Sequence, residues 1–261
     1  MSEDIFVEHD GLTFRCRLDG REDGPWVVFG NSMLTDVTIW DAQVEALQDR
    51  FRILRYDQRG HGKTSTPPGP CDFDQLGGDL LALMDRFGVS SCAYVGLSMG
   101  VPTGLHLVGR HPERITKLVF SDGQSMTAPG GAQTWEGRIA DARRLGMRGL
   151  AEITMERWFS EEFRAAGRHR KALEAAAAMP LEGYVACARA LQDYNFSDVL
   201  GRISVPTLIM AGANDGTMPV SMRTMCEAIA GASMHIIPDA GHIPNYERPD
   251  IFNQHLLDFL G

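Results

Sequence analysis

The chain has 261 residues, 44% of them hydrophobic, enough to bury the core of one domain and leave room for an inserted subdomain. A formal net charge of −9 excludes the basic footprint of a nucleic-acid binder, although a locally positive pocket for an anionic substrate is compatible with it. Five scattered cysteines without a CxxC pair read as reduced thiols of a cytoplasmic protein, and the acidic start "MSEDIFVEHD" reads as neither signal peptide nor membrane span.

In chain order, the stretches around Phe6 and residues 12–18 predict an antiparallel hairpin at a sheet edge. "WVVFG" (26–30) and "FRILRYD" (51–57) are short β-branched or aromatic runs ended by turn residues. "CAYVG" (92–96), "ITKLVFSDG" (115–123), "PTLIMAG" (206–212) and "SMHIIPDAG" (233–241) have the same form. Their near-continuous apolar character suits strands buried on both faces. Between them, Asp72 and Gln75 form a capping box ahead of an apolar stripe at Leu76, Leu80, Leu83, Met84 and Phe87, and Gly88 suits the stop. Pro249 opens a last helix with Phe252, Leu256, Leu257 and Leu260 on one stripe. This alternation predicts an α/β fold, a mostly parallel central sheet flanked by helices. From Gln124 to Ser197 no strand pattern occurs. "TWEGRIADARRLGMRGLAEITMERWF", "KALEAAAAM" and "EGYVACARALQDY" read as helices. The expected organisation is a core of 1–123 and 198–261 carrying a helical lid over 124–197, rather than helices packed to one side.

The sequence "AYVGLSMGVPTG" (93–104) places Ser98 between two glycines, after a strand and before a helix. GxSxG alone is a modest signal; its strand–turn–helix context makes Ser98 a candidate nucleophile lifted out of the sheet. The Met99 N–H then lies at a helix N-terminus, where donors are unpaired and negative charge is favoured. A serine hydroxyl needs a base. Of eight histidines, His242 in "DAGHIPNYERP" and His61 in "DQRGHGKT" sit on loops after strands. His242 is the better-placed base, and His61 reads as a turn histidine. The base needs an orienting carboxylate. Asp215 in "AGANDGTMP" is favoured; Asp122 in "VFSDG" is the rival, or else a cap at the lid entrance. A second oxyanion donor is expected from the loop "FGNSMLTDVTIW", at the Met33 N–H. No metal-ligand spacing and no phosphate-cradling glycine loop occurs, so no cofactor is expected.

With these residues identified, the chain resembles the α/β-hydrolase superfamily, and within it the 3-oxoadipate enol-lactonases. The resemblance is carried by "NSMLTDVTIWDAQVEAL", "FRILRYDQRGHGKTSTPPGP", "VGLSMG", "HPERITKLV", "ERWFSEEFRA", "PTLIMAGANDGTMP" and "AGHIPNYERPDIFNQHLLDFL", which span nearly the whole chain. It implies Ser98 as nucleophile, Asp215 as acid, His242 as base and oxyanion donors at Met33 and Met99. The implied reaction is hydrolysis of a lactone or carboxylic ester in aromatic catabolism, with a small-molecule substrate and no nucleic-acid or membrane partner. Carboxylesterases, perhydrolases and carbon–carbon bond hydrolases share these motifs, and a non-catalytic receptor on the same fold would not need the triad. The usual substrate of such lactonases bears a carboxylate. Arg138 or Arg157 would answer it, unless each is an ordinary solvated helix arginine. Trp135 and Trp158 line the pocket in this reading, or else pack the lid on the core. Leu34 and Val101 stand where such enzymes usually carry glycine; Leu34 adds bulk beside the oxyanion loop, Val101 crowds the start of the helix, and their effect on the pocket is left open. Oligomeric state is left open, a homo-oligomer included.

Overall fold

The computed structural model describes residues 3–261; Met1 and Ser2, part of the acidic start read above, lie outside the described residues. The strands are β1 (Ile5–His9), β2 (Leu12–Gly20), β3 (Trp26–Gly30), β4 (Arg52–Tyr56), β5 (Cys92–Leu97), β6 (Ile115–Ser121), β7 (Thr207–Gly212) and β8 (Ser233–Ile237). They form one sheet in the order β1-β2-β4-β3-β5-β6-β7-β8. The β1–β2 hairpin and the β2–β4 pair are antiparallel, and every other pair is parallel. From β3 the chain steps to one side into β4, then crosses back to the other side into β5. This reversal opens a crevice beyond the carboxyl ends of β3 and β5, where open α/β sheets bind ligands.

The helices are α1 (Asp41–Leu47), α2 (Phe73–Arg86), α3 (Gly100–Arg110), α4 (Gly131–Trp158), α5 (Glu161–Ala165), α6 (Arg170–Ala178), α7 (Leu181–Ala190), α8 (Ser197–Leu200), α9 (Met218–Glu227), α10 (Pro244–Glu247) and α11 (Pro249–Leu260). Alternation along the strands feeds two cores. Val27, Phe29, Ile53, Val95 and Met210 pack on one face with Leu47, Phe252 and residues of α4–α7. Val28, Leu54, Tyr94, Phe120 and Ile209 pack on the other with Leu80, Leu83, Leu105 and Met222. Each fully buried aliphatic side chain contributes about 1.5–3 kcal/mol, which fixes the strands and so the positions of their ends.

The predicted start and stop of α2 are present. Asp72 accepts the Gln75 N–H at 2.8 Å, and the Gln75 side chain accepts the Asp72 N–H at 3.2 Å. Gly88 takes φ +69°, and the Val89 N–H closes the end on the Met84 carbonyl at 2.8 Å.

Helices α4–α7 fill the span between β6 and β7 in which no strand was expected. Two details differ from the expectation. The long helix α4 is broken at Gly146 (φ 69°, ψ 171°). A short additional helix, α5, follows it and is capped by the Ser160 hydroxyl, which accepts from the Phe163 N–H. Helix α7 sits tightly on the loop after β4. A Cβ on Gly183 would lie against the Gly60 backbone, and the Cys71 N–H reaches the Ala186 carbonyl at 3.0 Å. No helix among the described residues is long and apolar enough to cross a membrane.

Candidate active site

Ser98 occupies the turn between β5 and α3 with φ +52°, the left-handed region that costs an L-residue about 1–2 kcal/mol. Its surroundings over-determine the strained turn. The Ser98 N–H donates to the Ser121 carbonyl at 2.8 Å, and the Ser98 carbonyl accepts from Val101 at 2.9 Å. A Cβ at Gly96 would come within 2.5 Å of the Gly100 carbonyl oxygen, and one at Gly100 would strike the Gly30 carbonyl. Both glycines of the motif are therefore demanded by close backbone approach, in addition to the turn's shape.

The loops after β7 and β8 bring the partners in. His242 Nε2 lies 2.9 Å from Ser98 Oγ, and Nδ1 lies 2.7 Å from Asp215 Oδ2. A carboxylate only accepts, so Nδ1 carries the proton and Nε2 is free to accept from the hydroxyl. Burial raises the Asp215 pKa. The charge of His242, its hydrogen bond and a hydrogen bond from Asp122 nevertheless hold Asp215 below its ordinary value. Trp158 stacks on the imidazole with centroids 5.8 Å apart and planes at 28°. The Trp158 carbonyl accepts the His242 N–H at 3.0 Å.

Beside Ser98 lies a cavity of about 460 Å³, the size range of small-molecule sites. Its floor includes Met33, Leu34, Ser98, Met99 and His242, and its roof includes Trp135, Arg138, Arg157, Trp158 and Tyr184. The Met33 and Met99 backbone N–H groups make no hydrogen bond among the described residues. Asn31 anchors the Met33 loop, accepting from the Trp40 indole at 2.8 Å and donating to the Tyr56 carbonyl at 2.7 Å. Arg138 lies over the Trp135 ring at 4.5 Å. Burial and the neighbouring Arg157 charge both pull its guanidinium below the ordinary value. Arg157 donates to Thr154 Oγ1 at 3.2 Å, and neither arginine has a carboxylate partner among the described residues.

The comparisons with known proteins accord with this geometry. The family model described as alpha/beta hydrolase fold matches residues 25–249. The chain belongs to the alpha/beta hydrolase fold family. It is 35% identical over 237 residues to 3-oxoadipate enol-lactonase 2 of Acinetobacter baylyi, covering 90% of this chain and 88% of that protein. The crystal structure of the enol-lactonase from Burkholderia xenovorans LB400 superposes with a TM-score of 0.93 at 34% identity, covering 98% of this chain and 99% of that one. A malate-bound thermophilic esterase from Thermogutta terrifontis superposes at 0.91 with 26% identity, covering 99% and 98%.

Several residues of this alpha/beta hydrolase stand elsewhere than the sequence suggested. Asp122 does not cap the lid entrance: it is fully buried, and its Oδ1 accepts the Gly212 N–H at 2.9 Å. The donor atoms of Asp122, Asp215 and His242 lie within 4.8 Å of one another. A cation at this cluster would take the atoms that Asp215 and His242 use for each other. Val101 does not reach the cavity. It packs in the opposite core, in space left by Gly123, whose Cβ would lie 2.5 Å from a Val101 methyl. Leu34 does line the cavity, buried and held at φ +65°. His61 is buried away from the cavity with Nδ1 3.1 Å from the Arg59 carbonyl, consistent with a turn histidine.

Sequence reasoning missed Glu247. Its buried carboxylate accepts the Gly241 N–H at 2.8 Å, the Ser160 N–H at 2.8 Å and the Ser160 hydroxyl at 2.5 Å. It thus ties the loop bearing His242 to the end of α4. In "NYERP" the residue has the look of a solvated helix glutamate, and nothing in its spacing gives the role away.

Proposed function

We propose that this hydrolase opens lactones, or cleaves carboxylic esters, through an acyl-enzyme on Ser98, with a carboxylate-bearing enol-lactone of the 3-oxoadipate type as its substrate class. The observation that carries the reading is the hydrogen-bonded relay from Ser98 through His242 to Asp215, beside a cavity of about 460 Å³. His242 Nε2 takes the Ser98 proton as Oγ attacks the carbonyl carbon. Asp215 holds the Nδ1 tautomer and steadies the imidazolium. The tetrahedral oxyanion is received by the Met33 and Met99 N–H groups, each such donor being worth about 10²- to 10³-fold in rate. On collapse the ring C–O bond breaks, and His242 gives its proton to the departing oxygen. An enol leaving group tautomerises to a ketone, which draws the reaction forward. Water, deprotonated by the same imidazole, then attacks the acyl-enzyme and releases the acid.

In this reading residues 124–197 are a cap on a core of 1–123 and 198–261. The cap excludes water and supplies Arg138 and Arg157 to the substrate carboxylate, with Trp135 and Trp158 against its carbon frame. The enol-lactonases among its relatives support this substrate class. The enzyme would act in the cytoplasm, where its free cysteines stay reduced.

A serine-directed fluorophosphonate is expected to label the protein at Ser98. Ser98→Ala should abolish labelling and lower kcat by about 10⁴- to 10⁶-fold. Under one assay, carboxylate-bearing lactones should be turned over ahead of short neutral esters, and a dienone with a scissile carbon–carbon bond should not. Full hydrolysis by Ser98→Ala would overturn the mechanism, and preference for the dienone would overturn the substrate class.

A further inference from the structure

At the end of β6, beside the relay, lies a carboxyl group that the mechanism above does not use. Asp122 has no solvent exposure. Oδ1 accepts the Gly212 N–H at 2.9 Å, and the Ser121 hydroxyl lies 2.6 Å from Oδ2. Its carboxyl, that of Asp215 and the His242 imidazole converge within 4.8 Å. The charged groups facing this pair are His242, whose Nδ1 proton is committed to Asp215 Oδ2, and Arg157, whose field reaches Asp215. No cation pairs with Asp122 among the described residues. Two carboxylates this close, out of water and with one imidazole between them, do not both ionise. The imidazole decides which one does, because it is bonded to Asp215.

We propose that Asp122 is a positioning residue for Asp215: a neutral carboxylic acid that shares its proton with the Asp215 carboxylate and holds it in line with His242 Nδ1. Apart from the bond to Nδ1, no side chain or N–H other than Asp122 is placed to serve the Asp215 carboxylate among the described residues. Burial, and then the charge of Asp215, push the Asp122 carboxyl well above the ordinary range. The proton stays between the two carboxyl groups throughout the cycle. Asp122 stands in the cavity wall without solvent exposure and makes no hydrogen bond to Ser98 among the described residues, so it acts through Asp215. The inference rests on the triad reading above, and its test is separable from that reading.

The decisive comparison is Asp122→Ala against Asp122→Asn in the full-length protein. An asparagine is neutral and keeps a donor toward Asp215. Asp122→Ala should lower kcat about tenfold, the scale of one lost hydrogen bond to a charged group, with little change in KM. Asp122→Asn should recover most of that loss, with the acid limb of the pH–rate profile at its wild-type position. If Asp122 were ionised, Asp122→Asn would delete a negative charge next to the imidazole. The acid limb would then move down by on the order of one pH unit, and the proposal would be overturned. Equal losses in the two variants would overturn it as well. A readout independent of turnover is the infrared carbonyl band of a protonated carboxyl in the wild-type protein at pH 8, expected to be present and to vanish in Asp122→Asn. Its absence from the wild type sinks the neutral acid even with the triad intact, whereas failure of the triad would show as activity in Ser98→Ala with this band unaffected.

Discussion

Arg138 rests on the Trp135 face, with Arg157 near enough to lower its affinity for a proton and no carboxylate in ion-pair contact with either among the described residues. A surface arginine without a role turns to water or pairs with an acid, as Arg148 does with Glu174 and Arg144 with Asp141. Arg138, half-buried beside the exposed Arg157, is held at the cavity at an electrostatic cost that an anionic ligand offsets. Arg138→Met keeps much of the stem that packs on Trp135 and removes the charge. We expect KM for a carboxylate-bearing lactone to rise about 10- to 100-fold, the range of a hydrogen bond to a charged group. Turnover of a neutral short ester should change less than about threefold. A parallel loss on both substrates would show that Arg138 supports the fold of the cap and does not select the substrate. Leu34 bears on the same cavity differently. Its φ of +65° carries a strain of about 1–2 kcal/mol that glycine would not. The side chain is buried against the pocket, so its bulk narrows the cavity beside Met33.

The broken helix α4 sets the relative placement of the cavity-lining residues it carries. Its first half carries Trp135 and Arg138, and its second half carries Thr154, Arg157 and Trp158. Gly146 sits between them in a backbone region that is essentially closed to residues with a Cβ. Gly146→Ala meets no neighbour within 4 Å, so its effect is purely conformational. It should lower stability by about 1–3 kcal/mol or straighten the helix and displace Trp135 and Arg138. In the first case the melting temperature falls with kcat/KM near wild type, and in the second kcat/KM falls too, so thermal melts and steady-state kinetics separate the two. A variant indistinguishable from wild type in both would show that the break is incidental. The break was not legible in the sequence, because an isolated glycine between apolar helical stripes reads as tolerated. The strands were legible because both sheet faces are buried, which leaves a continuous apolar run with a turn residue at its end. Ser98, His242 and Asp215 were legible because each sits where such a run stops. Asp122 sits at a strand end too, but its packing against Asp215 depends on β6 and β7 being neighbours, a fact of topology that spacing does not encode. Glu247 escaped for the same reason: its partners are 6 and 87 residues away.

At the scale of the whole molecule, the sheet presents its carboxyl ends to the cavity, and two buried groups in the loop after β4 contribute to how the fold responds to acid. His61 lies in the loop after β4, with Nδ1 on the Arg59 carbonyl and Nε2 buried without a partner among the described residues. Protonating Nε2 would place an uncompensated charge in the interior, and burial pulls the pKa down from 6.5 to about 4. Above pH 6.5 the ring is neutral in both folded and unfolded chains. As pH falls below 6.5 the unfolded chain binds a proton that the folded chain refuses, so stability declines until about pH 4, by up to ~3 kcal/mol. Asp57, four residues earlier, has the opposite sign. Burial raises its pKa from 3.8 to about 6 despite Arg15 at 3.2 Å, so the folded chain binds a proton before the unfolded one does, and acid favours folding across that window. The two contributions oppose each other within the wild-type curve, to which other shifted groups such as Asp4, His106 and Asp122 also add. His61→Gln removes only the first contribution. It should lower stability at pH 8, where a packed group is lost. Between pH 6.5 and 4 its urea-denaturation free energy should fall less steeply than that of the wild type, and its gap to the wild type should shrink. Curves that stay parallel through this window would mean that His61 is protonated in the folded protein, contrary to its burial.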